Sequence, residues 1–276
     1  MFTLNCKGRL LVVDKPQVMG IINCTPDSFY EGSRFLQKDE ALREAEKMLT
    51  EGATLLDIGA QSTRPGSTRI GAEEELKRVI DIVESIHTHF PEAILSIDTY
   101  FSRVAHEAVR AGASIINDIS AGSMDEAMLT IAANLNTPYI CMHMKGEPTS
   151  MQKDPQYDDI TKEVLEFFIH KLKQCRQAGL EDIIIDPGFG FGKTIQHNFR
   201  LLKELAAFSI LKKPLLLGLS RKSTIYRTLG ITAEDALNGT TVLNTIGLIN
   251  GASILRVHDV KEAMESIKLF EAYRIA

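Results

Sequence analysis

Along this chain, short runs of apolar and β-branched residues alternate with longer stretches where apolar positions return every three or four residues. Eight short runs stand out, at 17–23, 54–59, 94–98, 114–119, 138–144, 182–186, 214–220 and 253–258. Most are apolar at nearly every position, the pattern of a parallel strand buried on both faces. The stretches between them carry helical spacing. Leu42, Ala45, Met48 and Leu49 form one stripe, and Leu76, Val79, Ile80, Val83 and Ile86 a second. Ile160, Val164, Phe168, Leu172 and Cys175 form a third, which predicts the longest helix. Gly52, Gly112, Gly179 and Gly251 stand just beyond such helical stretches, where a left-handed residue closes a helix. Eight strand–helix units in ~250 residues predict an α/β fold, a (β/α)8 TIM barrel, more readily than an open doubly wound sheet. The barrel would be a single domain spanning residues 1–276. Residues 4–14, with Lys7-Gly8 as a turn, predict a short hairpin capping the barrel bottom.

Composition removes the alternatives. The chain has 276 residues, 44% hydrophobic and 24% charged, with a net charge of −5. A disordered or fibrous chain is excluded, and no apolar run approaches the ~18 residues of a membrane span. The first residues show no secretory signal pattern. An acidic chain is a poor general binder of nucleic acid or anionic membrane, so an anionic ligand would need a local cationic site. Cys6, Cys24, Cys141 and Cys175 are scattered without a CxxC pair. That fits a reducing cytoplasm better than a disulfide framework or a zinc site.

Polar residues gather toward the C-terminal ends of the apolar runs. They are Asn23, Asp57, Asp98, Asn117 with Asp118, His143, Asp186, Ser220-Arg221-Lys222, and Arg256 with His258. In a barrel these converge on the face where active sites are built. Any one of them could be ordinary loop chemistry; the whole set points to a site. Arg256 and His258 share one side of their strand by period-2 alternation, and with Lys222 they suggest an anion site. Opposite it, Asp57, Asp98 and Asp186 with the Asn117 amide would suit a nitrogen-rich heterocycle with several N–H donors. The loop at 186–194 ends in Gly192-Lys193-Thr194 but fails as a phosphate loop, because Pro187 occupies the place of its first glycine. It reads as a tight loop presenting Asp186 and Phe191 to a flat ligand. The stretches at 24–33 and 60–68 mix Pro, Gly and hydroxyl residues, a composition suited to a lid.

Other residues take plainer readings. His87 and His89 lack a third metal ligand, and His106, His170 and His197 sit in helical stretches. Met142, within Cys141-Met142-His143-Met144, belongs to a barrel interior more readily than to a soft-metal site. Lys222, beside Arg221 and hydroxyl residues, is a hydrogen-bond and charge donor more readily than a Schiff-base lysine.

Eight phrases, in order, carry a resemblance. They are Met19-Gly-Ile-Ile-Asn-Cys-Thr-Pro-Asp-Ser-Phe29, Ser62-Thr-Arg-Pro-Gly66, Ser96-Ile-Asp-Thr99, Ile116-Asn-Asp118, Met142-His143, Asp186-Pro-Gly-Phe-Gly-Phe-Gly-Lys193, Ser220-Arg-Lys-Ser223 and Arg256-Val-His258. With them the chain resembles the bacterial dihydropteroate synthase family over nearly its whole length. The resemblance implies a cytoplasmic, homodimeric barrel enzyme of folate biosynthesis, a sulfonamide target with Mg²⁺ as cofactor. It would condense 4-aminobenzoate with (7,8-dihydropterin-6-yl)methyl diphosphate to give 7,8-dihydropteroate and diphosphate. No nucleic acid or membrane partner is implied.

The resemblance also implies residue roles. Asp98, Asn117, Asp186 and Lys222 would bind the pterin, with Met142 and Phe191 beside it. Arg256, His258 and Asn23 would hold the diphosphate, Asn23 would contact Mg²⁺, and Thr63 would touch the pterin diphosphate. Phe29, Thr63, Arg64, Pro65 and Ser223 would surround the aminobenzoate. Asp98, Lys222, Arg256 and His258 would be catalytic, with diphosphate leaving before the amine attacks. Two departures stand in the loops: Glu31 where the family usually has Asp, and Ala60-Gln61 where Gly-Glu is usual. They bear on loop geometry and leave the pterin pocket untouched, so activity is expected. The rivals are a pterin-dependent methyltransferase, which would not need these loop phrases, and a silent pterin-binding paralogue, supported only by the two departures.

Overall fold

A hairpin opens the chain, with β1 (Phe2–Cys6) antiparallel to β2 (Arg9–Val13). Its turn is Lys7-Gly8, as the sequence predicts, and both residues have positive φ. The computed structural model describes residues 1–24, 32–61, 69–147 and 150–276, with side chains of the first helix described from Lys38 onward. Among these residues eight parallel strands follow: β3 (Gln17–Asn23), β4 (Leu55–Gly59), β5 (Ile94–Asp98), β6 (Ile115–Asp118), β7 (Tyr139–Met142), β8 (Ile183–Asp186), β9 (Leu216–Leu217) and β10 (Ile254–Val257). They neighbour one another in the order β8-β7-β6-β5-β4-β3-β10-β9. A parallel bridge from Ile185 to Leu215 joins the two ends and closes the barrel.

The helices lie outside: α1 (Gly32–Thr50), α2 (Ala72–His89), α3 (Ser102–Ala111), α4 (Met128–Asn134), α5 (Ile160–Gln177), α6 (Ile195–Lys203), α7 (Ser223–Leu229), α8 (Leu237–Ile249) and α9 (Val260–Ile275). The apolar stripes read from the sequence are the faces they turn to the sheet, as with buried Val79, Val83 and Ile86 of α2. Gly52, Gly112, Gly179 and Gly251 all have positive φ.

Two expectations are corrected. The longest helix is α1 with 19 residues, one more than α5; its first turn is the Gly32-Ser33 phrase that reads as loop. The run at 214–220 pairs as a strand over only two residues. Pro214 has no N–H to donate, and the Leu215 carbonyl accepts from both Ser253 (2.8 Å) and Ile254 (3.1 Å), an irregular ladder.

Alternation along the strands sorts the barrel interior into layers. Lowest are Met19, Leu55, Ile94, Ile115, Ile140, Ile184, Leu216 and Ile254, one apolar cluster with Leu4, Cys6, Leu11 and Val13 of the hairpin. The hairpin is therefore the bottom plug that the sequence predicts, pinned by Asn5 N–H on Asp182 Oδ2 (2.7 Å) and Lys7 Nζ on the Val109 carbonyl (2.6 Å). Two residues further along, five of the eight strands turn polar, with Asp57, Ser96, Asn117, Asp186 and Arg256 beside Ile21, Met142 and Gly218. The intervening positions, such as Leu56, Ile97 and Val257, pack under the helices.

Candidate active site

The polar layer is organised around one guanidinium. Arg256, on β10, donates from Nε to Asp57 Oδ2 at 2.6 Å and from Nη2 to Asp98 Oδ2 at 2.7 Å. Asp57 Oδ2 also accepts from Asn117 Nδ2 at 2.9 Å. Asp57 is fully buried, whereas Asp98 and Arg256 keep some exposure toward the mouth. The expected arrangement, carboxylates facing a separate cationic site across the pocket, is thus corrected. An arginine side chain is long enough to cross the barrel interior, so acids and cation form one network. Burial raises Asp98 to about 7; Arg256 opposes the rise, but it is shared with Asp57, and Glu75 and Asp118 add to it. Burial works against the charge on Arg256, but Asp57, Asp98 and Asp186 together outweigh it and raise its pKa.

A second group lies where β8 and β9 end. Asp186 Oδ1 accepts the Gly188 N–H at 2.7 Å. Burial raises Asp186, against the pull of Lys222. A side chain at Gly218 would stand 3.8 Å from both Asp186 Oδ2 and Lys222 Nζ, so this glycine lies between the two charges. Lys222 Nζ donates to the Phe189 carbonyl and sits 4.7 Å above the centre of the Phe191 ring. Burial lowers it to about 8, against the attraction of Asp186. Met142 and Phe191 belong to one apolar cluster with Tyr100, Ile119 and Met151. That cluster offers flat apolar contact beside polar groups able to read the edge of a heterocycle.

Two residues that shape the site were given no specific role from the sequence, although Ser220 belongs to the polar set read there. Lys193, 3% exposed, donates to the carbonyls of Gly188 (2.9 Å) and Phe191 (3.1 Å) and meets His143 Nδ1 at 2.9 Å. It ties the 186–194 loop into place, and a Cβ on Gly188, at φ 68°, would collide with the His143 carbonyl. The Gly-Lys-Thr phrase was the available signal, and it marks a lysine turned inward. His143 is accordingly a buried partner of Lys193, its pKa lowered by burial and by that lysine. Ser220 is the other: its Oγ lies 3.0 Å from His258 Nδ1 and accepts the His258 backbone N–H at 3.2 Å.

The remaining candidates separate. Asn23 is exposed at the end of β3, paired in register with Gly59 of β4. Ser223 is half-buried at the first position of α7. Arg221 forks onto Asp259 at 2.9 and 2.8 Å and serves the loop, not the pocket. Asp118 accepts from Ser120, Gly122 and Tyr139, which holds a turn together. Phe29, Glu31, Thr63, Arg64 and Pro65 lie outside the described residues. At the edge of the second of these stretches, Gln61 Nε2 donates to Glu75 Oε2 and to the Ile70 carbonyl, both at 2.8 Å. The glutamine thus supplies a donor to a buried carboxylate, a bond that an ionised Glu in its place could not make.

Comparison with known proteins points to one family. The family model for pterin binding enzymes matches residues 19–258. The dihydropteroate synthase of Escherichia coli (strain K12) is 44% identical over 271 residues, covering 98% of this chain and 95% of that protein. A solved structure of Yersinia pestis dihydropteroate synthase with a sulfonamide drug complex superposes with a TM-score of 0.94 at 42% identity, covering all of both chains. Xanthomonas albilineans dihydropteroate synthase with 4-aminobenzoic acid gives 0.92 at 38% identity, covering 99% of this chain and 98% of that one.

Proposed function

The chain belongs to the dihydropteroate synthase family of pterin-binding enzymes, and on that premise we propose how its barrel mouth divides the work. The reaction is the condensation of 4-aminobenzoate with (7,8-dihydropterin-6-yl)methyl diphosphate, giving 7,8-dihydropteroate and diphosphate. The observation that carries the proposed roles is the joined layer of Asp98, Asn117, Asp186, Lys222 and Arg256 beside Met142 and Phe191.

Asp186 accepts from the amidine-like N–H edge of the pterin, and Asn117 and Lys222 hydrogen-bond the same ring. Phe191 and Met142 cover its faces. Arg256, His258 and Asn23 receive the diphosphate, with Thr63 at the junction of the two parts. Charge neutralised there makes diphosphate a better leaving group. As the C–O bond breaks, positive charge spreads over the pterin-methyl group, and the Asp98 carboxylate stabilises it. The aminobenzoate amine, held among Phe29, Thr63, Arg64, Pro65 and Ser223, then attacks the methylene carbon and sheds its proton.

Mg²⁺ fits the donors at hand. Among the described residues no group of three or more His, Cys, Asp or Glu could hold a metal. Asn23 offers a hard amide oxygen, and Mg²⁺ commonly takes few protein ligands when phosphates and water complete its shell. Asn23 would hold it with the substrate diphosphate, and when bound it supplies positive charge to the departing group.

Exposed Val242, Ile246 and Ile249 of α8, beside exposed Leu269 and Tyr273 of α9, support a homodimer through these helices, which sedimentation would test. The four free, buried cysteines support a cytoplasmic location. The deciding assay is diphosphate release from the pterin diphosphate with and without 4-aminobenzoate and Mg²⁺. Release coupled to 7,8-dihydropteroate formation and abolished by chelation is expected. Tight pterin binding without release would refute the assigned roles. A large secondary isotope effect at the methylene would support cleavage before attack, and its absence would exclude that order.

A further inference from the structure

We propose that Asp57 is a positioning residue that couples the two halves of the pocket. It sets the guanidinium of Arg256 for the diphosphate and the amide of Asn117 for the pterin. The inference rests on the roles proposed above for those two residues.

The geometry is specific. Asp57 is 0% exposed, so it acts through its neighbours and not on the substrate. A single oxygen, Oδ2, receives both donors, Arg256 Nε at 2.6 Å and Asn117 Nδ2 at 2.9 Å. The other oxygen, Oδ1, has no hydrogen-bond partner among the described residues. A packing role would not choose this side chain: Leu55, one layer below on the same strand, shows what the barrel uses where only burial matters. A buried charged network is commonly no more stable than apolar residues of similar volume, yet breaking it by removing one member is costly. Because both donors meet the same atom, a shift that follows one withdraws from the other. Without Asp57 the guanidinium would rest on Asp98 alone, drawing on the carboxylate that must face the pterin.

The near-isosteric Asp57→Asn change tests this. The probes are inorganic diphosphate with Mg²⁺, and 6-hydroxymethylpterin, which lacks the diphosphate; each is titrated separately by calorimetry. Both affinities should fall about tenfold, within the coupling range of residues sharing one network. KM for the pterin diphosphate should rise, and KM for 4-aminobenzoate should stay within about twofold, since neither donor is assigned a role in binding it. In an Arg256→Lys background, Asp57→Asn should weaken diphosphate binding by less than about twofold further. A folded Asp57→Asn protein that binds both probes like wild type, or fully additive effects in the double variant, would overturn the proposal. If Asp57→Asn does not fold, Asn117→Ala carries the test. It should weaken inorganic diphosphate about threefold through Asp57, although residue 117 is assigned to the pterin; unchanged diphosphate binding would overturn the coupling. Arg256→Lys and Asp186→Asn are the controls. If neither weakens its own ligand, the underlying assignment of the pocket fails; if both do and Asp57→Asn does not, only the role of Asp57 fails.

Discussion

Replacing Asp98 by Asn should make the ligand-free protein progressively more stable relative to wild type as pH rises, while removing most of its turnover. The side chain is 20% exposed, and its pKa rises from the ordinary 3.8 to about 7, chiefly because burial disfavours the ionised form. The folded value lies above the unfolded one, so the folded protein holds the proton more tightly. Asp98 therefore contributes most to stability below pH 3.8, and that contribution is lost as pH climbs through 7. At 1.36 kcal/mol for each tenfold in proton affinity the full interval is worth about 4 kcal/mol, of which about 3 falls between pH 4.5 and 8.5. This is an upper bound, because Asp57 shares the same guanidinium and takes part in the titration. Asparagine does not titrate, so the difference between the two proteins isolates the effect. Paired thermal melts, ligand-free and in matched buffers, should show the Asp98→Asn variant gaining about 6 °C on wild type across that window, at roughly 2 °C per kcal/mol for a chain of this size. Turnover should fall about 10²-fold or more, the usual cost of losing a preorganised charge beside a reacting centre. Melting differences that stay parallel across pH, or shrink as pH rises, would refute the argument.

Four further outcomes are expected. The pH profile of kcat/KM should be bell-shaped, rising near 7 as Asp98 ionises and falling near 8 as Lys222 loses its proton; Lys222→Gln should lower activity and abolish the alkaline limb. Gln61→Glu should lower the melting temperature, by about 1–3 kcal/mol of stability, because it sets a second carboxylate against Glu75, whose pKa burial already raises; the loss should be larger at pH 8 than at pH 5, where a shared proton relieves it. At Gly59, alanine would place its Cβ 3.1 Å from the Asp98 Cβ; if Asp98 has the catalytic role proposed above, steady-state kinetics should show kcat/KM down about tenfold or more with little change in melting. Leu11→Ala should cost about 2–5 kcal/mol in urea unfolding and leave kcat unchanged, because it empties part of the bottom plug far from the polar layer.

The pattern of apolar runs carries most of this fold, because a parallel barrel strand is buried on both faces and leaves few choices of residue. The hairpin was legible for a related reason: Lys7-Gly8 separates two short segments whose apolar positions alternate. The polar layer was legible as a set, since Asp57, Asn117, Asp186 and Arg256 interrupt otherwise apolar runs. Its wiring was not. How two acids come to share Arg256 depends on the stagger of the strands, in which Asp57 pairs with Ser96 and Asp98 with Gly59. The role of Lys193 was hidden for a different reason: its phrase fails as a phosphate loop, and nothing local shows that its ammonium binds backbone carbonyls of its own loop. The Gln61–Glu75 bond joins the end of one loop to a helix and has no local signature at all.

The same electrostatics link stability to function. Burial raises Asp98 and Asp186 and lowers Lys222, so the ligand-free mouth holds its charges at a cost. On the roles proposed above, a pterin with N–H donors along one edge would offset that cost at Asp186, and positive charge developing at its methyl group would offset it at Asp98. That relief would be greatest in the transition state, which is the condition for a binding interaction to speed the chemistry. Holding unfavourable charges in place requires a rigid support beneath them. The apolar layer from Met19 to Ile254, sealed by the hairpin, supplies it on strands instead of loops. Neutralising Asp98 should therefore gain stability over wild type as pH rises and slow the enzyme, whereas truncation in the plug should cost stability and leave the rate unchanged. A screen for thermal stability alone would be expected to drift toward uncharged residues at position 98 before it found improvements in the bottom layer.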